Sequence, residues 1–332
     1  MVVISKLPTS RDVEAADERL APYVVRTPMV RHDELDAKTK ARVFVKLEPL
    51  QRTGSFKFRG AFNRLSQLNA HERETGVVAF SSGNHAQGVA EAARLLNIPA
   101  TIVMPADAPT IKLRNTEKLG AEVITYDRET ESRELIAEEL AEKRGAILVP
   151  SFDDPHIVAG QGTMGLEMVR FAKAHGLTPD LAVICCGGGG LTSGSTLALK
   201  DSFPEIDIMT AEPEGYDDTM RSLELGTRVG VDGHPPSICD ALMSPHCGKI
   251  PFEIMRANAV HGVAVSDVQV RKAMAFAFYR LHVVAEPGGA VALAALLSGA
   301  LNLEGKTVFA VISGGNVDLK LFTESIAAFE KA

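Results

Sequence analysis

The chain has 332 residues, 45% of them hydrophobic and 23% charged, enough for two domains and a sizeable buried core. Its formal net charge of -7 comes without a basic stripe, which argues against nucleic acid as a partner. Residues 1–12 lack the apolar core of a signal peptide, and the apolar run 289–301 is too short to span a bilayer. Four cysteines without framework spacing suit a reducing cytoplasm.

Residues 10–20 read as a capped helix with Arg11, Asp12, Glu14 and Asp17 on its wet side, and Arg26-Thr27-Pro28 breaks the pattern. Residues 42–48 read as a strand with Val43, Val45 and Leu47 on one face. Then comes Gln51-Arg52-Thr53-Gly54-Ser55-Phe56-Lys57-Phe58-Arg59-Gly60-Ala61, in which Gly54 and Ser55 form a turn and 56–65 a helix. Lys57 falls in the first helical turn, between Phe56 and Phe58. An ammonium held among aromatics near a positive helix end is disfavoured, so the pKa falls and a neutral amine suited to a Schiff base results. An amphipathic lysine with its head in water fits the same local pattern.

Further strands are expected at 76–80, 100–104, 121–126, 146–149, 181–186, 207–211 and 307–312. Helices are expected between them at 85–96, 131–144, 162–175, 268–282 and 290–301. Strand–helix alternation with apolar strands means α/β architecture on buried, mainly parallel sheets. The alternation runs on beyond what one open sheet needs, so two lobes are expected.

In such sheets ligands sit beyond the carboxyl ends of strands. After 76–80 comes Ser81-Ser82-Gly83-Asn84-His85, whose amides and hydroxyls suit a carboxylate and equally suit an N-cap cluster. After 181–186 come Gly187, Gly188, Gly189 and Gly190, whose backbone amides converge on a phosphate at a helix start. Thr192 or Ser193 stands where a dinucleotide fingerprint needs its third glycine, and Ala300 rules out a P-loop ahead of Gly305-Lys306-Thr307. Ser313-Gly314-Gly315-Asn316 ends the last strand and reads as a plain turn or as a hydrogen bond to a heterocycle. Glu212, Asp217 and Asp218 suit a hard cation or a solvated loop. Cys185 and Cys186 read as small buried hydrophobes, and Cys239, His246 and Cys247 lack the spacing of a structural zinc site.

Taken together, Ser-Phe-Lys-Phe-Arg-Gly-Ala, Ser-Ser-Gly-Asn-His, the tetraglycine and Ser-Gly-Gly-Asn resemble the fold-type II pyridoxal-phosphate enzymes. The branch resembled is that of threonine/serine dehydratases and serine racemase, over about residues 10–320. The resemblance implies a tryptophan synthase β-like fold. Its large cofactor-binding domain would comprise 1–76 and 154–332, and 77–153 would form a small mobile substrate domain. It implies that Lys57 carries pyridoxal 5'-phosphate and, once released, takes the substrate's α-proton. Phe56 would pack beside the ring, Asn84 would bond its 3-hydroxyl, and Ser313 its nitrogen. Gly187, Gly188, Gly189 and Gly190 would hold the phosphate. Ser81, Ser82, Asn84 and His85 would bind the substrate carboxylate, with Ser82 as a second base should the enzyme racemise.

The resemblance also implies a Mg²⁺, Mn²⁺ or Ca²⁺ site at Glu212, Tyr216 and Asp218, a nucleotide site at Arg52, Thr53 and Gln87, and a homodimer or homotetramer. The activity implied is elimination of water from L-threonine or L-serine, giving a 2-oxo acid and ammonia. Serine racemase and 3-hydroxyaspartate dehydratase are the neighbouring alternatives, and a non-catalytic anion-binding protein the rival from another class. Racemases carry asparagine where this chain has Phe152, in Ser151-Phe152-Asp153-Asp154-Pro155, which favours elimination.

Overall fold

The computed structural model describes residues 7–81, 83–108, 110–127 and 129–329. Among these, ten strands form two sheets. They are β1 (Met29–Val30), β2 (Arg42–Leu47), β3 (Val77–Phe80), β4 (Ala100–Pro105), β5 (Glu122–Tyr126), β6 (Ile147–Leu148), β7 (Leu181–Cys185), β8 (Asp207–Pro213), β9 (His261–Val265) and β10 (Thr307–Ile312). The larger sheet has the order β1-β2-β10-β7-β8-β9 and the smaller β5-β4-β3-β6. Pairing is parallel except between β1 and β2. Every residue of β4, β7 and β10 is buried, as strands covered by helices on both faces must be. No helix among the described residues is long and apolar enough to cross a membrane.

Helix Pro155–Ala174 is the rod that organises the site. A Cβ on its Gly160 would lie 2.7 Å from the Gly60 Cα, and one on Gly162 would lie 2.5 Å from the Gly194 carbonyl oxygen. Backbone therefore packs on backbone against helices Lys57–Ser66 and Gly190–Ser202. Both of those helices begin at the site, so one element sets the position of both N-termini. The sequence pattern places the rod's start at 162, but it begins at Pro155. Asp154 caps it through the amides of His156 and Ile157, with proline at the first position. Glycines inside a helix hide its periodicity, and here they are the contact surface.

The other anticipated strands recur within two residues of their expected ends. Strands β1 and β9 are not legible. β1 has two residues, and β9 carries Gly262, where a Cβ would lie 2.4 Å from Met220.

Beneath the Lys57 helix lies a buried ionic cluster. The Arg59 guanidinium donates to both Glu48 oxygens at 2.8 and 2.9 Å and to Glu167 at 2.8 Å. Lys46 donates to the other Glu167 oxygen at 2.6 Å and to the Thr27 carbonyl at 2.5 Å. All four charged side chains are buried, and the cluster is neutral as a whole. It ties strand β2, the lysine helix and the rod together.

Candidate active site

The end of β10 pins the turn that launches Lys57. The Phe56 amide donates to the Ser313 carbonyl at 3.1 Å, and Ser55 bridges to Gly314. Lys57 is the first residue of its helix, and its Nζ donates to the Ser151 carbonyl at 3.0 Å. The amine lies 5.3 Å from the centroid of Phe56. Phe58 does not flank it from the other side. It packs at 5.5 Å on Phe62 in the core beneath Arg52, because consecutive helical residues diverge by about 100°. Burial pulls the Lys57 pKa down to about 8, against the opposing influence of Cys185 and Glu286.

Directly after β10, Ser313 is buried. Glu286, also buried, passes over Gly314, where a Cβ would meet its carboxylate at 2.1 Å. The Glu286 carboxylate accepts from Asn84 Nδ2 at 2.6 Å. Asn84 Oδ1 accepts in turn from Asn316, which also donates to the Thr53 carbonyl at 2.7 Å. Thr53 is a β-branched residue at φ 63°, and its buried hydroxyl has no partner among the described residues. Sequence reasoning missed Glu286. Its signal was a lone carboxylate heading an otherwise uncharged helical run, Pro287–Leu297.

The tetraglycine follows β7 and opens helix Gly190–Ser202, with Gly189 at φ 89° as its cap. A Cβ on Gly188 would lie 2.2 Å from the Phe152 ring, so a side chain has no room there. Behind the loop, the Gly188 carbonyl accepts from the Gly248 amide at 3.0 Å. Ser151 touches Lys57 and its neighbour Phe152 touches Gly188, so amine and loop share one wall.

Among the described residues no side chain caps the start of helix Asn84–Leu96, which leaves its first amides for a ligand. Ser81 accepts from the Gly83 amide at 3.1 Å, while Ser82 lies outside the described residues. His85 Nε2 meets the Val149 carbonyl at 3.0 Å and must therefore carry the hydrogen. Its Nδ1 is buried and has no partner among the described residues, and burial plus nearby Lys57 push its pKa down to about 3. A neutral ring with only an acceptor free does not hold a carboxylate. At His85 the backbone amide is the group suited to an anion.

The family model described as "Pyridoxal-phosphate dependent enzyme" matches residues 20–314. The chain belongs to that family. It is 45% identical over 317 residues to L-threo-3-hydroxyaspartate ammonia-lyase of a Pseudomonas species, covering 96% of this chain and 98% of the relative. L-threonine ammonia-lyase of Thermotoga maritima is 40% identical over 320 residues, covering 96% of this chain and 78% of the relative. The solved structure of maize serine racemase superposes with a TM-score of 0.90 at 34% identity, covering 98% of this chain and 99% of that one.

The residues fit the cofactor of a pyridoxal-phosphate-dependent enzyme. A glycine cradle without side chains suits a phosphate, and a lysine with lowered pKa stands on the same wall. The cation reading fits less simply. Both Glu212 oxygens cap helix Asp218–Leu225, accepting from the amides of Thr219 at 3.0 Å and Met220 at 2.8 Å. Burial and neighbouring Asp218 push the Glu212 pKa up to about 8, and burial pushes Asp218 up to about 6. Asp218 Oδ2 is buried without a partner among the described residues, and Tyr216 is buried in the intervening turn. Among the described residues no group of three or more His, Cys, Asp or Glu side chains is placed to hold a metal. Arg52, Thr53 and Gln87 come together in an open cleft of about 590 Å³ with Arg94 and Lys118.

Proposed function

We propose that this chain eliminates water from L-threonine or L-serine, releasing a 2-oxo acid and ammonia. The observation that carries the reading is the Lys57 amine, brought by burial to a pKa of about 8 on the wall it shares with the glycine cradle. The ammonia-lyase names of the relatives support it. Pyridoxal phosphate supplies the electron sink that acidifies the α-proton.

Gly187, Gly188, Gly189 and Gly190 would hold its phosphate by backbone amides, and Phe56 would lie beside its ring. Asn84 would reach the 3-hydroxyl with its second N–H, and Ser313 the ring nitrogen. Lys57 would bind the group covalently and, once displaced by substrate, take the proton from Cα. Ser81, Ser82 and the free amides of Asn84 and His85 would hold the substrate carboxylate. Ser82 as a second base on the opposite face would add racemisation. The lobes we assign, 1–76 with 154–332 and 77–153, follow the two sheets.

A second reading is L-threo-3-hydroxyaspartate. The L-threo-3-hydroxyaspartate ammonia-lyase of a Pseudomonas species, 45% identical, supports it, and the Arg133 guanidinium, paired with Glu134 at 2.8 Å, lies 5.6 Å from the ring centroid of Phe80, directly before Ser81. One panel decides among these: keto-acid formation from each substrate and its stereoisomers, with chiral analysis of what remains. Oxo acid from L-threonine and L-serine is expected. A tenfold preference for 3-hydroxyaspartate, lost in Arg133→Met, establishes the second reading instead. Inversion without any oxo acid leaves only racemisation.

We also propose a divalent cation at Glu212, Tyr216 and Asp218, supported by an Asp218 oxygen without a partner among the described residues, and a nucleotide in the Arg52, Thr53 and Gln87 cleft, supported by a lining in which Arg52, Arg94 and Lys118 outnumber Glu91. Melting curves test both. EDTA should lower the Tm with recovery on adding Mg²⁺ or Ca²⁺, and AMP should raise it. A Tm that ignores a given addition removes the corresponding site.

A further inference from the structure

A short relay of polar groups grips Asn84, and its members come from separate elements. Asn316, past the end of β10, places its Nδ2 2.7 Å from the Thr53 carbonyl and 2.8 Å from Asn84 Oδ1. Asn84 Nδ2 lies 2.6 Å from Glu286 Oε1. Asn84 is 8% exposed and Glu286 4%. Glu286 is itself set by backbone. Its amide donates to the Gly314 carbonyl at 3.0 Å, and a Cβ at position 314 would collide with its carboxylate.

A peptide carbonyl can only accept, and each carboxamide carries two N–H hydrogens, so the order of donors is forced. Asn316 must turn its NH2 to Thr53, and its other hydrogen then goes to Asn84 Oδ1. Asn84 gives one hydrogen to Glu286. Reversing either amide would set an oxygen against the Thr53 carbonyl or the Glu286 carboxylate. The second N–H of Asn84 is the one these contacts leave over. Anchored at Oδ1 alone, the amide plane could swing, and the bond to Glu286 is the second point that fixes it. We propose that Glu286 is a positioning residue that holds Asn84 so that its remaining N–H, and not its carbonyl, meets the 3-oxygen of bound cofactor. The site then selects for an acceptor at that position of the pyridine ring. This rests on the reading above that Asn84 reaches that oxygen. A carboxylate acceptor makes the grip a charge-assisted bond, the stronger kind.

Pyridoxine 5'-phosphate, which has no aldehyde to bond with Lys57, and its 3-deoxy counterpart provide the test, with affinities read by calorimetry. Wild type should bind the 3-hydroxy compound about three- to tenfold more tightly, the size expected of one hydrogen bond. Glu286→Leu should lose most of that preference, through weaker binding of the 3-hydroxy compound alone. Glu286→Asp draws the acceptor back by one methylene and should lose it too, which keeps the test open if the leucine variant does not fold. Glu286→Gln keeps an acceptor at the same reach and should restore the preference. A full preference in the folded Leu or Asp variant overturns the proposal. So does an equal loss of affinity for both compounds, the mark of a merely structural residue. Asn84→Ala separates this proposal from the reading beneath it. If Asn84→Ala abolishes the preference while the Glu286 variants keep it, the reading of Asn84 stands and the proposal alone is wrong. If Asn84→Ala keeps the full preference, Asn84 does not meet the 3-oxygen and both fall. No turnover is measured, so the result does not depend on the activity proposed above.

Discussion

Lys57→Ala should reduce oxo-acid formation at least ~10³-fold while leaving the protein folded and its Tm no lower. Borohydride treatment of the wild type with pyridoxal phosphate should fix the cofactor on the peptide containing Lys57, and the variant should retain none. The stability half follows from the direction of the pKa shift. Burial lowers the Lys57 pKa from 10.5 to about 8, so the folded state disfavours the ammonium. Below about pH 8 both folded and unfolded chains hold the proton, and the desolvation penalty is present in full. Between 8 and 10.5 the unfolded chain binds more protons, so the contribution of this group to stability rises with pH. The variant lacks the penalty, and its advantage over cofactor-free wild type should be largest at neutral pH and fade towards pH 10.5. A variant that melts well below wild type would make Lys57 a structural residue. Retained activity would move the chemistry to another lysine.

Arg59→Met should cost about 3–5 kcal/mol of stability, because it leaves Glu48 and Glu167 buried with only Lys46 to neutralise them. For a chain of this size the Tm should fall by roughly 5–10 °C. Arg59 also sits two residues after Lys57, so cofactor affinity should fall with it. Replacing Arg59, Lys46, Glu48 and Glu167 together by apolar side chains of similar volume should recover much of the lost Tm, since unpaired buried charge is the destabilising element. The check is thermal melting of the single and quadruple variants side by side. A single variant within 1 °C of wild type would show that the cluster contributes nothing, whatever its geometry suggests.

Much of the site was legible because its parts are local. Turn glycines, a helix start and a preceding strand are short-range features, so Lys57, the tetraglycine and Ser313 each stood out after their strands. His85 was legible as a position but not as a chemical state. Its tautomer is fixed by the Val149 carbonyl, 64 residues away in the chain, and its neutrality comes from burial beside Lys57. Glu212 stood out as a carboxylate, yet its oxygens serve the helix that begins at Asp218. Phe58 was assigned to the wrong side of the lysine because adjacency in sequence does not mean a shared face in a helix.

The sequence by itself determined the α/β alternation, the family and the residues that launch each loop, because periodicity and turn chemistry act over a few residues. Only the tertiary structure decided which partners those residues meet. Glu286 reaches Asn84 across 202 residues, and Glu167 reaches Arg59 across 108. The Lys57 pKa depends on burial among groups from both sheets' loops, His85 after β3 and Cys185 at the end of β7. Burial and charge are properties of the assembled neighbourhood, and a linear pattern carries no measure of either.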